Sequence, residues 1–435
     1  MIFVNNLLML LILHEIRFII IALLCGGFLT SFIPFIFAEP SIVDHSLKIE
    51  LIAEGLSSPT SMAFVDSQNI LVLEKNSGDV RLVSSGYLKE QPVLELDVDS
   101  TTLTCCRGLL GIAVNNLGYT GGNKQVFLYF TAAEAGKNDN PILNKVNKYD
   151  WDGKNLLNPL NILNLPATPG PNHPGGKLTL DKKEGKLYAV IGDLNNVGLL
   201  QNTKNNNNNN KDLTDSSVII RINSTDGSAP PDNPFASIKD AFPASQVEKY
   251  YGYGIRNSFG LAIDPVTNNL WDTENGDKDF DEINLVQPGF NSGWKKLMGP
   301  ISQSDIADGD LVKLAGSKYA DPVFSWKPSL GVTDIEFFDS KNFGDTYENN
   351  VFVGDINNGN VYYFKVNGSR TGLEFNNSDI KTDLVANNKE KDELVWGSGF
   401  KGITDLETGP DGNLYVLTFD ESRNGEGKIY RISMN

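Results

Sequence analysis

Apolar residues alternate with polar ones over short stretches along most of this chain, and the stretches come in sets. An alternating strand runs into a turn rich in Asp, Gly or Asn, then a second apolar strand, then a Gly-Asp or Gly-Asn loop and a third strand. The theme is plain in SMAFVDSQNILVLEKNSGDVRLV from Ser61, GKLTLDKKEGKLYAVIGD from Gly176 and GLAIDPVTNNLWDTENGD from Gly260. It recurs in TDIEFFDSKNFGDTYENNVFVGDINNGNVYYFKV from Thr333 and TDLETGPDGNLYVLTFDESRNGEGKIYRI from Thr404, and RGLLGIAVNNLGYTGGNKQVFLYFTAAEAG from Arg107 supplies the sixth unit. One such antiparallel sheet cannot bury both faces alone, so radial packing predicts an all-β, six-bladed β-propeller over residues 46–435. The early strand SLKIELIAEGL, from Ser46, is expected to complete the last blade and close the ring.

Residues 1–38 break the pattern. Phe18 to Ala38 carries no charge, follows Arg17 and is long enough to cross a bilayer. It is expected to be a signal peptide or an N-terminal membrane anchor: cleavage after Ala38 gives a secreted protein, retention a membrane-anchored one, and either is extracytoplasmic. A net charge of −17 and a pI near 4.7 argue against nucleic-acid backbones and anionic membrane surfaces as partners. Lys204 to Lys211, KNNNNNNK, reads as a disordered surface loop. Three cysteines are too few for disulfides to be the main stabiliser. The adjacent Cys105 and Cys106 read as two free thiols, with a strained vicinal disulfide as the alternative in an oxidising compartment. Asn223, Asn367 and Asn376 open N-x-S/T triplets that could be glycosylated on export.

Candidate chemistry is concentrated in two places. Beyond residue 38 the histidines are His45 and His173, and His173 stands in a loop before a glycine pair. A neutral imidazole takes a proton near pH 7, so His173 is a candidate base for a hydroxyl; the bland alternative is a histidine bonded to its own loop. Arg256 and Asn257 precede a strand, where side chains emerge on one rim of the ring. Their guanidinium and amide can polarise a carbonyl or bind a carboxylate, although Arg256 could instead pair with the acidic loop that follows. That loop, Glu274 to Glu282, is ENGDKDFDE. Its oxygens suit a hard cation such as calcium, which takes about six to eight, but the spacing is not that of an EF-hand and a solvated loop is the alternative. Trp326 could wall a sugar or cofactor site or simply pack in the core.

GIRNSFGLAI followed by ENGDKDFDEINLVQPGFNSGW, within Tyr251 to Trp294, resembles the glucose/sorbosone dehydrogenase family, soluble quinoproteins that use pyrroloquinoline quinone (PQQ) and calcium. STDGSAPPDNPF from Ser224 is similar to the same family, and the resemblance runs from about Leu51 to Ile432. It implies that His173 removes the proton from a sugar's anomeric hydroxyl while hydride passes to the quinone, and that Arg256 and Asn257 contact the quinone. The carbonyls of Gly276 and Asp277 would hold a calcium that anchors PQQ; Glu282 and the backbone near Ser292 would hold a structural one. The chain also departs from the family pattern. Cys106 stands where a Gln is common before the GLLG run, and Asn172 replaces an Asp before the histidine. Two PQQ-pairing arginines are missing, at the positions of Gly402 and Thr404, and a lysine is missing at Asn357. Lys401, Arg107 and Lys177 are expected to compensate. The expectation is an exported PQQ- and calcium-dependent dehydrogenase that oxidises an aldose to a lactone and passes electrons to an external acceptor. The alternatives are a non-catalytic, calcium-stabilised propeller that binds carbohydrate or protein, and a calcium-dependent lactone hydrolase.

Overall fold

Period-two runs of Val, Ile, Leu and aromatic residues fold into six antiparallel sheets, joined by turns that the Gly, Asn and Asp residues supply. The computed structural model describes residues 39–100, 106–115, 124–133, 142–203, 213–243, 245–423 and 425–435. The expected leader, Cys105 and the Lys204 to Lys211 loop lie outside the described residues. Contacts divide the chain into Met1–Glu39 and Pro40–Asn435, and the second unit is the propeller.

The innermost strands, one per blade, are Pro59–Phe64, Leu109–Asn115, Leu178–Asp181, Ser258–Ile263, Val332–Phe337 and Gly402–Thr408. Each neighbours the next around the ring, and the last neighbours the first. In blade 6, Leu47–Ser57 pairs with Glu426–Met434, from Leu47 opposite Met434 to Ser57 opposite Glu426, so the two ends of the propeller close one sheet as expected. The parallel additions Phe290–Asn291 and Val385–Ala386 extend blades 3 and 4 at their outer edges.

Side chains packed between blades form the core. Phe127, Leu187, Ile220 and Tyr250 are fully buried in one cluster that spans blades 2 and 3. Trp271, Phe324, Trp326 and Tyr362 are fully buried in another, between blades 4 and 5. Burying each such side chain stabilises the fold by about 1.5–3 kcal/mol. Trp326 therefore belongs to the core and not to a ligand wall: its ring meets Phe324 at 4.7 Å and Tyr362 at 5.4 Å.

Polar pegs tie every blade to the next. Thr60 Oγ1 donates to the carbonyl of Leu109 at 2.9 Å, Tyr129 Oη to Pro174 at 2.9 Å, and the Gly175 amide to Asn257 Oδ1 at 3.1 Å. Thr273 Oγ1 donates to the carbonyl of Thr333, and Thr333 Oγ1 to that of Ile403 at 2.9 Å. Asp405 Oδ2 accepts from the Met62 amide at 2.6 Å and Ser61 Oγ at 3.0 Å, which completes the circle. Cys106 is disulfide-bonded, which overturns the free-thiol reading for that residue. At the end of the ring where the innermost strands finish, the axial channel widens into a cavity of about 600 Å³ whose walls include Lys183, Glu336 and Glu407.

Candidate active site

The innermost strands begin at the opposite end of the ring, and the residues just before them form its rim. His173 lies before the strand of blade 3, and Arg256 and Asn257 lie before that of blade 4. The sequence separates them by more than eighty positions, yet the fold places them on adjacent blades. Gly192 is where the two loops cross. A side chain there would lie 2.4 Å from the carbonyl of Arg256 and 2.6 Å from that of His173, so only glycine permits the crossing.

The residue after that glycine is the one that sequence reasoning missed. Asp193 Oδ1 lies 2.7 Å from His173 Nδ1 and accepts the Asn195 amide at 2.8 Å; its Oδ2 accepts Trp294 Nε1 at 2.8 Å. Its own amide donates to the carbonyl of Arg256 at 2.9 Å. Burial, the largest single influence, raises the Asp193 carboxyl, but hydrogen bonds from His173, Asn195 and Trp294 together hold it below its ordinary range. An ionised Asp193 fixes the proton on Nδ1 and leaves Nε2 with the lone pair. Asn172 therefore does not leave the imidazole unsupported. His173 itself has φ 58°, a left-handed conformation that a non-glycine residue holds only where its surroundings impose it.

Arg256 is set by several contacts at once. Its amide donates to Glu274 Oε1 at 2.6 Å, Nη1 to the carbonyl of Asn275 at 3.1 Å and Nη2 to Asp277 Oδ1 at 3.3 Å. The guanidinium lies 5.4 Å from the centre of the Trp294 ring, so Trp294 joins the Arg256 and Asp193 groups in one assembly. Asp277 is 66% exposed, so its ion pair is solvent-screened and gives way easily to a ligand. Arg256 Nε and Asn275 Oδ1 are buried without partners. Asn257 is buried, with its carbonyl accepting the Asn275 amide at 2.8 Å.

Behind this rim, one face of blade 4 carries Asp272, Glu274 and Glu282, with Glu274 and Glu282 paired across strands. Burial, and then the mutual repulsion of these carboxylates, pushes Glu274 well up, Glu282 up to about 8 and Asp272, mainly by burial, up to about 7. Glu282 Oε1 accepts the Gly299 amide at 2.6 Å, and Ser292 Oγ donates to Glu274 Oε2 at 2.6 Å. Asp272 Oδ1 and Asn284 Oδ1 are buried acceptors without donors. Among the described residues no three His, Cys, Asp or Glu side chains are placed to hold a metal ion. The Gly276 and Asp277 loop is held by Asp281, whose Oδ1 accepts the Gly276 amide at 2.9 Å.

Two expected compensating cations are already spent. Arg107 is buried, with Nη1 on Asp99 at 2.9 Å and Nη2 on the carbonyl of Ala167. Lys177 is buried between Asp334 at 2.8 Å and Asp405 at 2.5 Å. Burial alone would lower its ammonium pKa, but these ion pairs hold it above the usual lysine range. Lys401 is half-buried on the rim. The family arginine at position 402 is sterically excluded: a side chain on Gly402 would start 2.8 Å from both Ile356 Cδ1 and the carbonyl of Ile356. Asn357 Nδ2 donates to the carbonyl of Leu330 at 3.0 Å.

Comparison with known proteins gives the family and the fold. The family model for glucose / sorbosone dehydrogenase matches residues 56–431. Aldose sugar dehydrogenase YliI of Escherichia coli (strain K12) is 32% identical over 273 residues, which span 62% of this chain and 62% of that protein. The apo crystal structure of the soluble aldose sugar dehydrogenase from Escherichia coli shares the fold at a TM-score of 0.65 and 24% identity, over 89% of this chain and 100% of that one. The PQQ-bound aldose sugar dehydrogenase of Streptomyces coelicolor does so at 0.60 and 22%, over 91% of this chain and 99% of that one. A propeller with this rim, matched by the family model over most of its length, belongs to the glucose/sorbosone dehydrogenase family.

Proposed function

We propose that this protein is an exported, PQQ- and calcium-dependent dehydrogenase that oxidises the hemiacetal of an aldose to a lactone and passes the electrons to an external acceptor. The single observation that carries the reading is the His173–Asp193 pair, 2.7 Å apart, beside Arg256 and Asn257. The orphaned Arg256 Nε and Asn275 Oδ1 fit a flat polar ligand on this rim, and the names of the relatives support a sugar and PQQ. PQQ, when bound, supplies the acceptor for the hydride that leaves the sugar carbon. His173 Nε2 takes the hydroxyl proton, Asp193 stabilises the resulting imidazolium, and Trp294 keeps that carboxylate aimed at Nδ1. Arg256 offers a fixed positive charge to a carbonyl oxygen. Main-chain carbonyls of Gly276 and Asp277 would hold the anchoring calcium, and Glu282 with the backbone near Ser292 a structural one, where Asp272 Oδ1 and Asn284 Oδ1 are acceptors in want of a cation.

A non-catalytic propeller is the second reading, favoured by the crowding at Gly402 and by the engagement of Arg107 and Lys177. Titration of PQQ into the protein with and without calcium, followed by absorbance and then by dye reduction with mixed aldoses, separates the two. Saturable, calcium-dependent binding is expected, with turnover that His173→Ala abolishes while binding persists. Absence of saturable binding would reject the dehydrogenase reading in favour of the second.

A further inference from the structure

We infer that Lys75 is an anion-binding residue on the rim between blades 1 and 2, where it takes a carboxylate of the polycarboxylate cofactor. The inference rests on the PQQ reading above and supplies what that reading lacks. A cofactor of this class needs cations at the rim, and two of the three expected ones are tied to Asp99, Asp334 and Asp405.

Lys75 follows the strand Asn69–Glu74, and Glu74 lies opposite Pro59, the first residue of the innermost strand of blade 1. This register sets Lys75 at the end of the ring that also carries His173 and Arg256. Its backbone is pinned on both sides: the amide donates to the carbonyl of Ser58 at 3.1 Å, and its carbonyl accepts the Leu109 amide at 3.0 Å. The second bond reaches the innermost strand of blade 2. The side chain runs against Gly108, where an added Cβ would lie 2.9 Å from Lys75 Cγ and 2.2 Å from the Lys75 carbonyl oxygen. Gly108, at φ +136°, thus leaves open the space that the lysine stem uses.

The ammonium is half-buried, and among the described residues it has no hydrogen-bond or ion-pair partner. Desolvation lowers its pKa, and no neighbouring carboxylate offsets the effect. The nearby acids are otherwise engaged: Glu74 accepts the Ser57 amide at 2.8 Å and pairs with Arg81 at 3.2 Å, and Asp99 holds Arg107. The buried cations Arg107 and Lys177 each have a carboxylate or carbonyl. A half-buried cation without one is open to an anion brought from outside.

The test is equilibrium binding of PQQ to the full-length protein, read by cofactor absorbance in calcium buffer, for wild type, Lys75→Gln and Lys75→Arg. Thermal unfolding of each variant is followed in parallel. Losing one charge-assisted contact should weaken binding by about tenfold to a hundredfold in Lys75→Gln and reduce its salt dependence. Lys75→Arg should restore most of the affinity. Lys75→Met, which keeps the apolar stem, replaces Lys75→Gln if the amide disturbs packing. Wild-type binding that neither neutral variant weakens overturns the role of Lys75 and leaves the cofactor reading intact. Failure of the wild type to bind PQQ overturns the cofactor reading, and the inference falls with it.

Discussion

In the proposed mechanism Asp193 is the residue that sets His173, because it contacts His173, Trp294 and the Arg256 carbonyl and carries the only carboxylate at hydrogen-bond distance from His173 among the described residues. Asp193→Asn keeps the shape but replaces an acceptor with an amide that can present N–H to Nδ1 and turn the imidazole to its other tautomer. Turnover is then expected to fall by about 10²- to 10⁴-fold. PQQ affinity should change little, because Asp193 acts through His173. Steady-state dye reduction and an absorbance titration on the same preparation check the two halves, and unchanged turnover would remove Asp193 from the mechanism. His173, Arg256 and Asn257 were legible as candidates because a rare residue in a glycine-rich loop and a long matching run both mark them. Asp193 was not, because in AVIGDL it looks like any Gly-Asp turn of the repeat; its pairing with a residue twenty positions earlier appears only once the Gly192 crossing is built. Trp326 left two readings open for the same reason, since an aromatic in FSWKPSLG reads alike whether it faces ligand or core.

At the scale of elements, strand pairing within blades was legible because a period of two records which face is buried, and the turn residues record where each strand stops. What lies between blades was not. The pegs from Thr60, Tyr129, Thr273, Thr333 and Asp405 join residues tens to hundreds of positions apart and leave no periodic trace. Lys177 shows the consequence. Its charge suggested a ligand contact, but its ammonium runs from blade 3 to Asp334 of blade 5 and Asp405 of blade 6, across the axis. It is a tie between innermost strands. Lys177→Met leaves both carboxylates buried without their cation and is expected to destabilise the protein by about 3–5 kcal/mol in urea unfolding. Lys177→Met combined with Asp405→Asn should recover part of that loss, because one uncompensated charge is gone. If the double variant is less stable than the single by the full cost of Asp405→Asn alone, the two residues act independently and the tie is refuted.

For the molecule as a whole, the balance of charge sets how stability responds to pH. The net charge of −17 means that self-repulsion grows as carboxylates ionise. Beneath that general effect lie three acids that hold their protons more tightly than exposed carboxylates do: Asp355 is buried, and Glu336 and Glu407 are half-buried in the channel wall. Burial pushes Glu336 up to about 7 and Asp355 up to about 6, and burial with the adjacent Glu336 pushes Glu407 well above the ordinary range. An unfolded chain would release these protons near pH 4 to 4.5, roughly the ordinary carboxylate values. Between that region and about pH 8 the native state therefore binds more protons at these groups than the unfolded one, and their contribution to stability falls as pH rises. Below that window both states are protonated at these groups, and their contribution is fully present. The thermal midpoint in calcium-free buffer is thus expected to drop by several degrees between pH 5 and pH 8. Glu336→Gln, which keeps a neutral group in the channel wall, should flatten the slope over that interval and raise the midpoint at pH 8 relative to wild type. A midpoint that rises with pH, or a slope that the substitution leaves untouched, would show that the channel acids ionise freely in the folded protein and that its walls are wetter than their burial implies.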